Sequence, residues 1–257
     1  MAEPATALPL ADRVAIVTGA SGGIGRAVAL HLAALGARLI LVYSSSSTRA
    51  DLLAADLNSP SQTRAVTVQA DVSDPVSVRS LFDRAEQAFS SPPHIVVACA
   101  GVLDSKYPTL ADTSVKDWDK TFDVNVKGTF LCCREAANRL VRGGGGRIIT
   151  FSSSIAGTLL PNYSAYAASN AAVEAMTRIL AKELQGTGIT ANCVAPGPIK
   201  TDLFLAGKSE EFVESVIQRS SGRIGETTDV APVVGFLVKD EAFWVNGQVI
   251  RVNGGFV

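Results

Sequence analysis

The sequence predicts a single doubly wound α/β domain: a parallel sheet of about seven strands with helices on both faces. Strand-like and helix-like segments alternate along the whole chain, and the strand-like segments are apolar throughout. Strands of that kind are typical of parallel sheets whose two faces are both covered by helices. No linker or change in composition divides residues 1–257, so we expect one domain.

Short-range patterns predict the elements of the first half. The run 13–19 predicts a strand that ends at a glycine, and 24–36 has helical apolar spacing closed by Gly36. The pair Asp74-Pro75 supplies a cap residue and a first-turn proline, which indicates the start of another helix. The other elements predicted here are strands at 38–43, 64–71 and 94–101 and a helix at 48–58.

The alternation continues in the second half. One long helix is predicted from about Ser114 to Leu140, followed by a glycine turn. A later helix holds Tyr166 and Asn170, whose side chains face the same space because they are four residues apart. Strands are predicted at 147–153, 189–197 and 248–255.

Composition excludes several functions. The 257 residues are 47% hydrophobic and 18% charged, with a net charge of −1, so neither nucleic acid nor an anionic membrane is an expected partner. No apolar run approaches ~18 residues, and the N-terminal run lacks the basic and apolar regions of a secretory signal; we expect a cytoplasmic protein. The four cysteines have no metal-ligand spacing and predict buried free thiols, with no metal site.

A glycine-rich turn, Thr-Gly-Ala-Ser-Gly-Gly-Ile-Gly-Arg at 18–26, joins the first strand to the first helix. The strand–turn–helix order is the one that dinucleotide-binding folds use. Glycines let the backbone approach a pyrophosphate, whose charge rests on the N-terminus of the helix. The predicted cofactor-binding residues of this turn are Gly19, Ser21, Gly23, Ile24 and Gly25.

The residues after the second strand indicate which dinucleotide binds. An acid there would select NAD by hydrogen-bonding the adenosine ribose, but 43–49 reads Tyr-Ser-Ser-Ser-Ser-Thr-Arg. Hydroxyls and a cation without an acid favour NADP(H). Two alternatives stay open: a serine-rich loop without a ligand, and an Arg49 too far along the chain to reach. The predicted adenosine-side residues are Tyr43, Ser44, Ser45, Ser46, Asp71 and Val72.

With these motifs the chain resembles the short-chain dehydrogenase/reductase family over nearly its whole length. The runs 166–184 and 188–204 are similar to those of its plant-type NADPH-dependent aldehyde and carbonyl reductases. The resemblance implies a Rossmann-type fold and hydride transfer to a carbonyl. It implies that Tyr166 is the general acid and that Ser153, 13 residues earlier, hydrogen-bonds the substrate oxygen. Asn125 would hold a water in a proton relay.

The resemblance also implies the substrate side of the site. The nicotinamide-side residues would be Ala100, Gly101, Pro196, Gly197, Ile199 and Thr201. Residues 203–222 would form a substrate lid. The apolar segments 101–104, 154–163 and 198–207 favour a small, largely apolar aldehyde or ketone. The C-terminal run 243–256 resembles the family's last strand, and that resemblance implies a homotetramer or homodimer.

Two positions depart from the family pattern. Ala98-Cys99 stands where the family has asparagine followed by asparagine or serine, so side chains that brace the central strands are expected to be absent. Asn170 stands where the family has a lysine that holds the ribose and lowers the pKa of the tyrosine. A unit charge ~4 Å away at an effective dielectric constant of ~20 is worth ~4 kcal/mol, or ~3 pKa units.

Asn170 leaves three functions open: a weakened NADPH-dependent reductase, a non-redox catalyst such as an isomerase, cyclase or dehydratase, and an inactive variant that only binds cofactor and ligand. Oxidation needs a tyrosinate and should suffer most, because a phenol near its reference pKa of ~10 stays protonated. Reduction needs the protonated tyrosine, which is still present. The retention of Asn125, Ser153 and Tyr166 favours the reductase.

Overall fold

Seven parallel strands form one sheet in the order β3-β2-β1-β4-β5-β6-β7. The computed structural model describes residues 7–257. The strands are β1 (Val14–Thr18), β2 (Arg38–Tyr43), β3 (Ala65–Gln69), β4 (Ile95–Ala98), β5 (Arg147–Phe151), β6 (Thr190–Pro196) and β7 (Val249–Val252). The strand order reverses between β1 and β4, which opens a crevice at their carboxyl ends. The predicted doubly wound, Rossmann-type sheet is confirmed.

Both faces of the sheet are buried, which explains the continuously apolar strands. In β1, Ala15 and Val17 join one core cluster, whereas Val14 and Ile16 join the other. Successive side chains of a strand point to opposite faces, so each face takes every second residue. The result is two cores separated by one sheet.

One group of helices covers each face of the sheet. Their bounds are α1 (Gly23–Ala34), α2 (Ser47–Leu57), α3 (Pro75–Phe89), α4 (Val115–Phe122), α5 (Thr129–Arg139), α6 (Ile155–Thr158), α7 (Ser164–Glu183), α8 (Asp202–Leu205), α9 (Glu210–Arg219) and α10 (Thr227–Leu237), with a 3₁₀ helix at Asp240–Ala242. Buried residues of α1, α2 and α10 join one core, and those of α3, α5 and α7 join the other. No helix within 7–257 has the length and apolar character needed to cross a bilayer.

Several predicted boundaries are confirmed by their capping geometry. Gly36 follows the end of α1 with φ of +102°, a conformation that suits glycine. The Asp74 carboxylate accepts a hydrogen bond from the backbone N–H of Ser77 at 2.7 Å, and Pro75 opens α3. Ser114 caps α4 by accepting from the N–H of Asp117 at 3.1 Å.

The single long helix predicted from Ser114 to Leu140 is wrong in its interior. A π-helix at Asp123–Gly128 separates α4 from α5. At Gly128 this segment lies so close to Val72 that an added Cβ would be 2.8 Å from a methyl group of that valine. The wider π-turn occurs where Asn125 faces the crevice, as such turns often do at functional sites.

Candidate active site

A cleft of about 380 Å³ opens at the carboxyl ends of the central strands. It brings together the predicted residues of the glycine turn, the catalytic group and the nicotinamide side. These lining residues are Gly19, Ser21, Gly23, Ile24, Gly25, Ala100, Gly101, Asn125, Ser153, Tyr166, Asn170, Pro196, Gly197, Ile199 and Thr201. They come from six separate stretches of sequence that meet because parallel strands end at the same edge of the sheet.

The glycine turn is built around close backbone contacts. Gly19 and Gly23 have φ of +68° and +52°, and an added Cβ at Gly25 would be 2.3 Å from the carbonyl oxygen of Gly19. The residue before α1, Gly22, has no side chain to cap the helix. The first N–H groups of α1 can therefore serve an anion at this end of the cleft.

The predicted adenosine-side residues lie outside this cleft, after β2 and β3. Tyr43 ends β2, and the serines 44–46 that follow it lead into α2. Asp71 holds its own turn, because its carboxylate accepts from both the N–H and the hydroxyl of Ser73. Val72 is buried against the π-helix. Their contacts to a cofactor stay a prediction.

Arg49 reaches the glycine turn, which answers the doubt about its distance along the sequence. Its guanidinium lies 3.7 Å from the position of a Cβ built on Gly22. It also donates to the carboxylate of Asp202 at 3.1 Å, at the start of α8. Both partners are exposed, so the ion pair itself contributes little stability. Its position places a cation beside the turn.

Tyr166 and Ser153 face the cleft together. Tyr166 is partly accessible from the cleft, and burial by the surrounding protein raises its pKa above 10. Hydrogen bonding from Ser153 and Asn170 opposes that rise without overcoming it. The phenol therefore keeps its proton at neutral pH and can donate it.

Asn170 is turned back onto its own helix. Its amide donates to the backbone carbonyl of Tyr166 at 2.8 Å, and the residue is 5% exposed. A neutral amide held this way brings no charge to the phenol. Desolvation is consequently the dominant influence on the pKa of Tyr166.

Asn125 braces the backbone after β4. Its side-chain oxygen accepts from the N–H of Val102 at 2.8 Å, and its NH₂ donates to Val102 O at 2.9 Å and to Ser169 Oγ at 3.2 Å. Protein groups thereby use both N–H donors and one of the two lone pairs of the side-chain oxygen. The role of Asn125 in holding a relay water stays a prediction.

Thr18 is a site residue that the sequence analysis missed. Its hydroxyl oxygen accepts from the backbone N–H groups of Cys99 and Ala100, each at 3.0 Å. The brace expected to be absent at Ala98-Cys99 is thus supplied from the neighbouring strand. A buried hydroxyl at the end of β1, next to β4 in the sheet, is the signal that could have revealed it.

The substrate end of the cleft is apolar with one cation. Leu103, Leu160 and Phe204 line it as predicted, whereas Leu159 is 70% exposed and lies outside. Further lining residues that the sequence analysis missed are Lys208, Phe212, Val216 and Phe256. The predicted lid region contains α8 and α9, and its motion stays a prediction.

The cysteines are free thiols, two buried and two half-buried. Cys99 lines the cleft, and burial raises its pKa to about 12, so it is an unreactive thiol rather than a thiolate nucleophile. Within the described part of the chain, no three histidine, cysteine or acidic residues cluster as a metal site.

Comparison with known proteins places this geometry in a family. A family model described as enoyl-(acyl carrier protein) reductase matches residues 19–257. An Arabidopsis thaliana protein named NADPH-dependent aldehyde reductase-like protein, chloroplastic, is 59% identical, with 97% of this chain and 96% of the relative covered. A Picea abies short-chain type dehydrogenase/reductase is 58% identical over 96% of this chain and 93% of its own length. The chain belongs to the short-chain dehydrogenase/reductase family.

A solved member of this short-chain dehydrogenase/reductase family has the same fold. The Burkholderia cenocepacia short-chain dehydrogenase, determined in complex with NADP, superposes with a TM-score of 0.89 at 36% identity, covering 96% of this chain and 99% of that one. The Arabidopsis relative carries the word chloroplastic in its name. The cytoplasmic location expected from the sequence is therefore not confirmed.

Proposed function

We propose that this member of the family is an NADPH-dependent reductase that delivers hydride to the carbonyl of a small, largely apolar aldehyde or ketone. The observation that carries the proposal is the shared cleft: a protonated Tyr166 and Ser153 face it beside the glycine turn. A carbonyl oxygen between these two hydroxyl groups would lie next to a dinucleotide bound along the strand ends. The expected assembly is a homotetramer or homodimer.

The residues present fit NADP(H). The open N-terminus of α1 and the tight Gly19–Gly25 contact form a cradle for a pyrophosphate. The end of β2 carries hydroxyls instead of an acid, and Arg49 stands over Gly22 to pair with a 2′-phosphate. Arg49 would have to exchange Asp202 for that phosphate. The names of the Arabidopsis and Burkholderia relatives support the same cofactor.

The chain's residues then divide the work of reduction. NADPH supplies the hydride when it is bound. The Ser153 hydroxyl donates a hydrogen bond to the substrate oxygen, and Tyr166 Oη transfers its proton to that oxygen as negative charge develops there. Because burial holds the pKa of Tyr166 above its usual value, the acid form is fully populated at neutral pH. The tyrosinate needed for alcohol oxidation is correspondingly scarce.

The presence of Asn170 is also compatible with a second function. The Asn170 amide is neutral and donates to the backbone carbonyl of Tyr166. The site therefore retains a proton donor, Tyr166, but lacks the positive charge that would lower the pKa of this tyrosine. A non-redox catalyst, for example an isomerase, cyclase or dehydratase, would use Tyr166 as acid and leave the cofactor unchanged. A chain that only binds cofactor and ligand is the third candidate.

Carbonyl reduction by the unchanged chain and Asn170→Lys, measured in parallel, distinguishes these functions. A panel of aliphatic and aromatic aldehydes and ketones is incubated with NADPH, and loss of NADPH absorbance is recorded. The reductase predicts slow, carbonyl-dependent NADPH loss that rises in Asn170→Lys. Product without NADPH loss would indicate the non-redox catalyst. If both proteins bind NADPH and leave every carbonyl unchanged, the reductase proposal is wrong.

A further inference from the structure

Lys208 places an ammonium group in an aromatic cage at the substrate end of the cleft. Its Nζ lies 4.6 Å from the ring centre of Phe204 and 4.7 Å from that of Tyr107. The rings of Tyr163 and Phe212 are within 5.8 and 5.9 Å. Rings at these distances attract a cation through their quadrupoles. The cage thus fixes where the charge stands.

The polar partners of this ammonium are neutral. Nζ donates to the hydroxyl of Tyr107 at 2.6 Å and to the backbone carbonyl of Phe204. An ammonium has three N–H donors, so one is left for a further acceptor. Across residues 7–257, no carboxylate forms an ion pair with Lys208. Asp104 is near enough to influence the pKa of Tyr107 but makes no such pair.

The cage adjoins the catalytic tyrosine and is separate from the glycine turn. Tyr163 packs on Tyr107 with ring centres 5.1 Å apart and precedes Tyr166 by three residues, at the start of α7. The loop that carries Lys208 packs against the chain near Tyr107: a Cβ on Gly207 would overlap the carbonyl of Ser105. By contrast, Thr201 lies beside the glycine turn, with its methyl group 3.4 Å from the position of a Cβ built on Gly23. An anion that pairs with Lys208 would therefore belong to the substrate.

A half-buried ammonium without a counter-charge has an energetic cost. Burial lowers the pKa of Lys208 to about 8, which leaves it mainly charged at pH 7. The other charged residue that lines the cleft, Asp202, forms its ion pair with Arg49 and not with Lys208. An incoming carboxylate would compensate the desolvation of the lysine.

From this placement we propose that Lys208 is a specificity-determining residue that binds a carboxylate on the carbonyl substrate, at the end remote from the reacting group. The expected substrate is then an aldehyde or ketone that also carries a carboxylate, with an apolar body between the two groups. The apolar body would lie against Leu160, Phe204 and Phe212, and the carboxylate would accept the free N–H of Lys208. This inference rests on the proposed function, because it names the substrate of the same cleft.

A matched pair of substrates tests the charge. The rates compared are those of 4-formylbenzoate and its methyl ester with NADPH, on the unchanged chain, Lys208→Met and Lys208→Arg. Lys116→Met, which removes an exposed lysine at the start of α4, is the control. We expect the acid-to-ester ratio of kcat/KM to fall about tenfold or more in Lys208→Met and to be kept in Lys208→Arg and the control.

A binding measurement tests the carboxylate site independently of catalytic activity. Benzoate and benzamide are titrated against each protein saturated with NADP⁺, and the shift in melting temperature is recorded. Preferential binding of benzoate that disappears in Lys208→Met supports the inference even if no carbonyl is reduced, in which case only the proposed function fails. Equal binding of the two probes, or an equal fall with acid and ester substrates in Lys208→Met, would mean that the lysine only ties the lid to Tyr107 and would overturn it.

Discussion

The two ends of the cleft are built differently. At the glycine turn, one stretch of nine residues fixes the geometry through backbone conformation, such as the contact between Gly25 and the carbonyl of Gly19. At the substrate end, Tyr107, Tyr163 and Lys208 come from three distant segments and meet only in the folded chain. The geometry of the first end is determined by residues that are close in sequence, whereas the geometry of the second depends on tertiary packing. Substitutions at each end should therefore fail in different ways.

At the substrate end, the largest expected effect is on the rate of carbonyl reduction, with little change in cofactor binding. Tyr166→Phe removes the proton donor and keeps the ring, so carbonyl reduction should fall ~10²–10⁴-fold, the usual worth of general acid catalysis. NADPH affinity, measured by fluorescence titration, should stay within about threefold, because the glycine turn is not touched. Ser61→Ala, which removes an exposed hydroxyl that does not line the cleft, is the control. Equal rates for the unchanged chain and Tyr166→Phe would remove Tyr166 from the mechanism.

Adding the missing charge should change the pH profile. Burial raises the pKa of Tyr166 above 10, and the acid form persists below that pKa; reduction by the unchanged chain should therefore show no loss from tyrosine ionisation up to about pH 9. In Asn170→Lys, a cation ~4 Å from the phenol would lower that pKa by up to ~3 units. The alkaline fall of kcat/KM should then move to lower pH. Identical profiles from pH 6 to 10 would show that the new charge does not reach the phenol.

At the glycine turn, the expected failure is structural. Gly25→Ala would place a Cβ 2.3 Å from a backbone carbonyl oxygen, a contact that cannot be relieved by rotating a side chain. We expect a loss of about 3 kcal/mol in the free energy of unfolding, measured by urea denaturation, together with weaker NADPH binding. Gly22→Ala is the matched control, because φ is −169° there and the nearest atom is 3.7 Å away. Similar losses in both variants would contradict the backbone argument.

This contrast explains how much could be predicted from the sequence. The sheet, the glycine turn and the Ser153–Tyr166 pair follow from local patterns and family spacing, and the structure brings these residues to one cleft. The π-helix around Asn125 was missed because its apolar spacing differs too little from that of an α-helix. Lys208 was missed because a lysine in a polar-looking lid gives no sign of the rings that surround it. Contacts of that kind exist only after distant segments have packed.

Thr18 tests whether the glycine-turn end also depends on such a distant contact. Thr18→Val keeps the shape and removes the acceptor for two N–H groups after β4. The N–H of Cys99 has a second acceptor in Val97 O, so the main cost is the unpaired N–H of Ala100, about 1–3 kcal/mol. Thr18→Ser keeps the hydroxyl and loses one buried methyl group, which should cost about 1 kcal/mol. If urea denaturation finds the valine variant no less stable than the serine variant, the hydroxyl does not brace β4, and this end of the cleft is held by its local backbone alone.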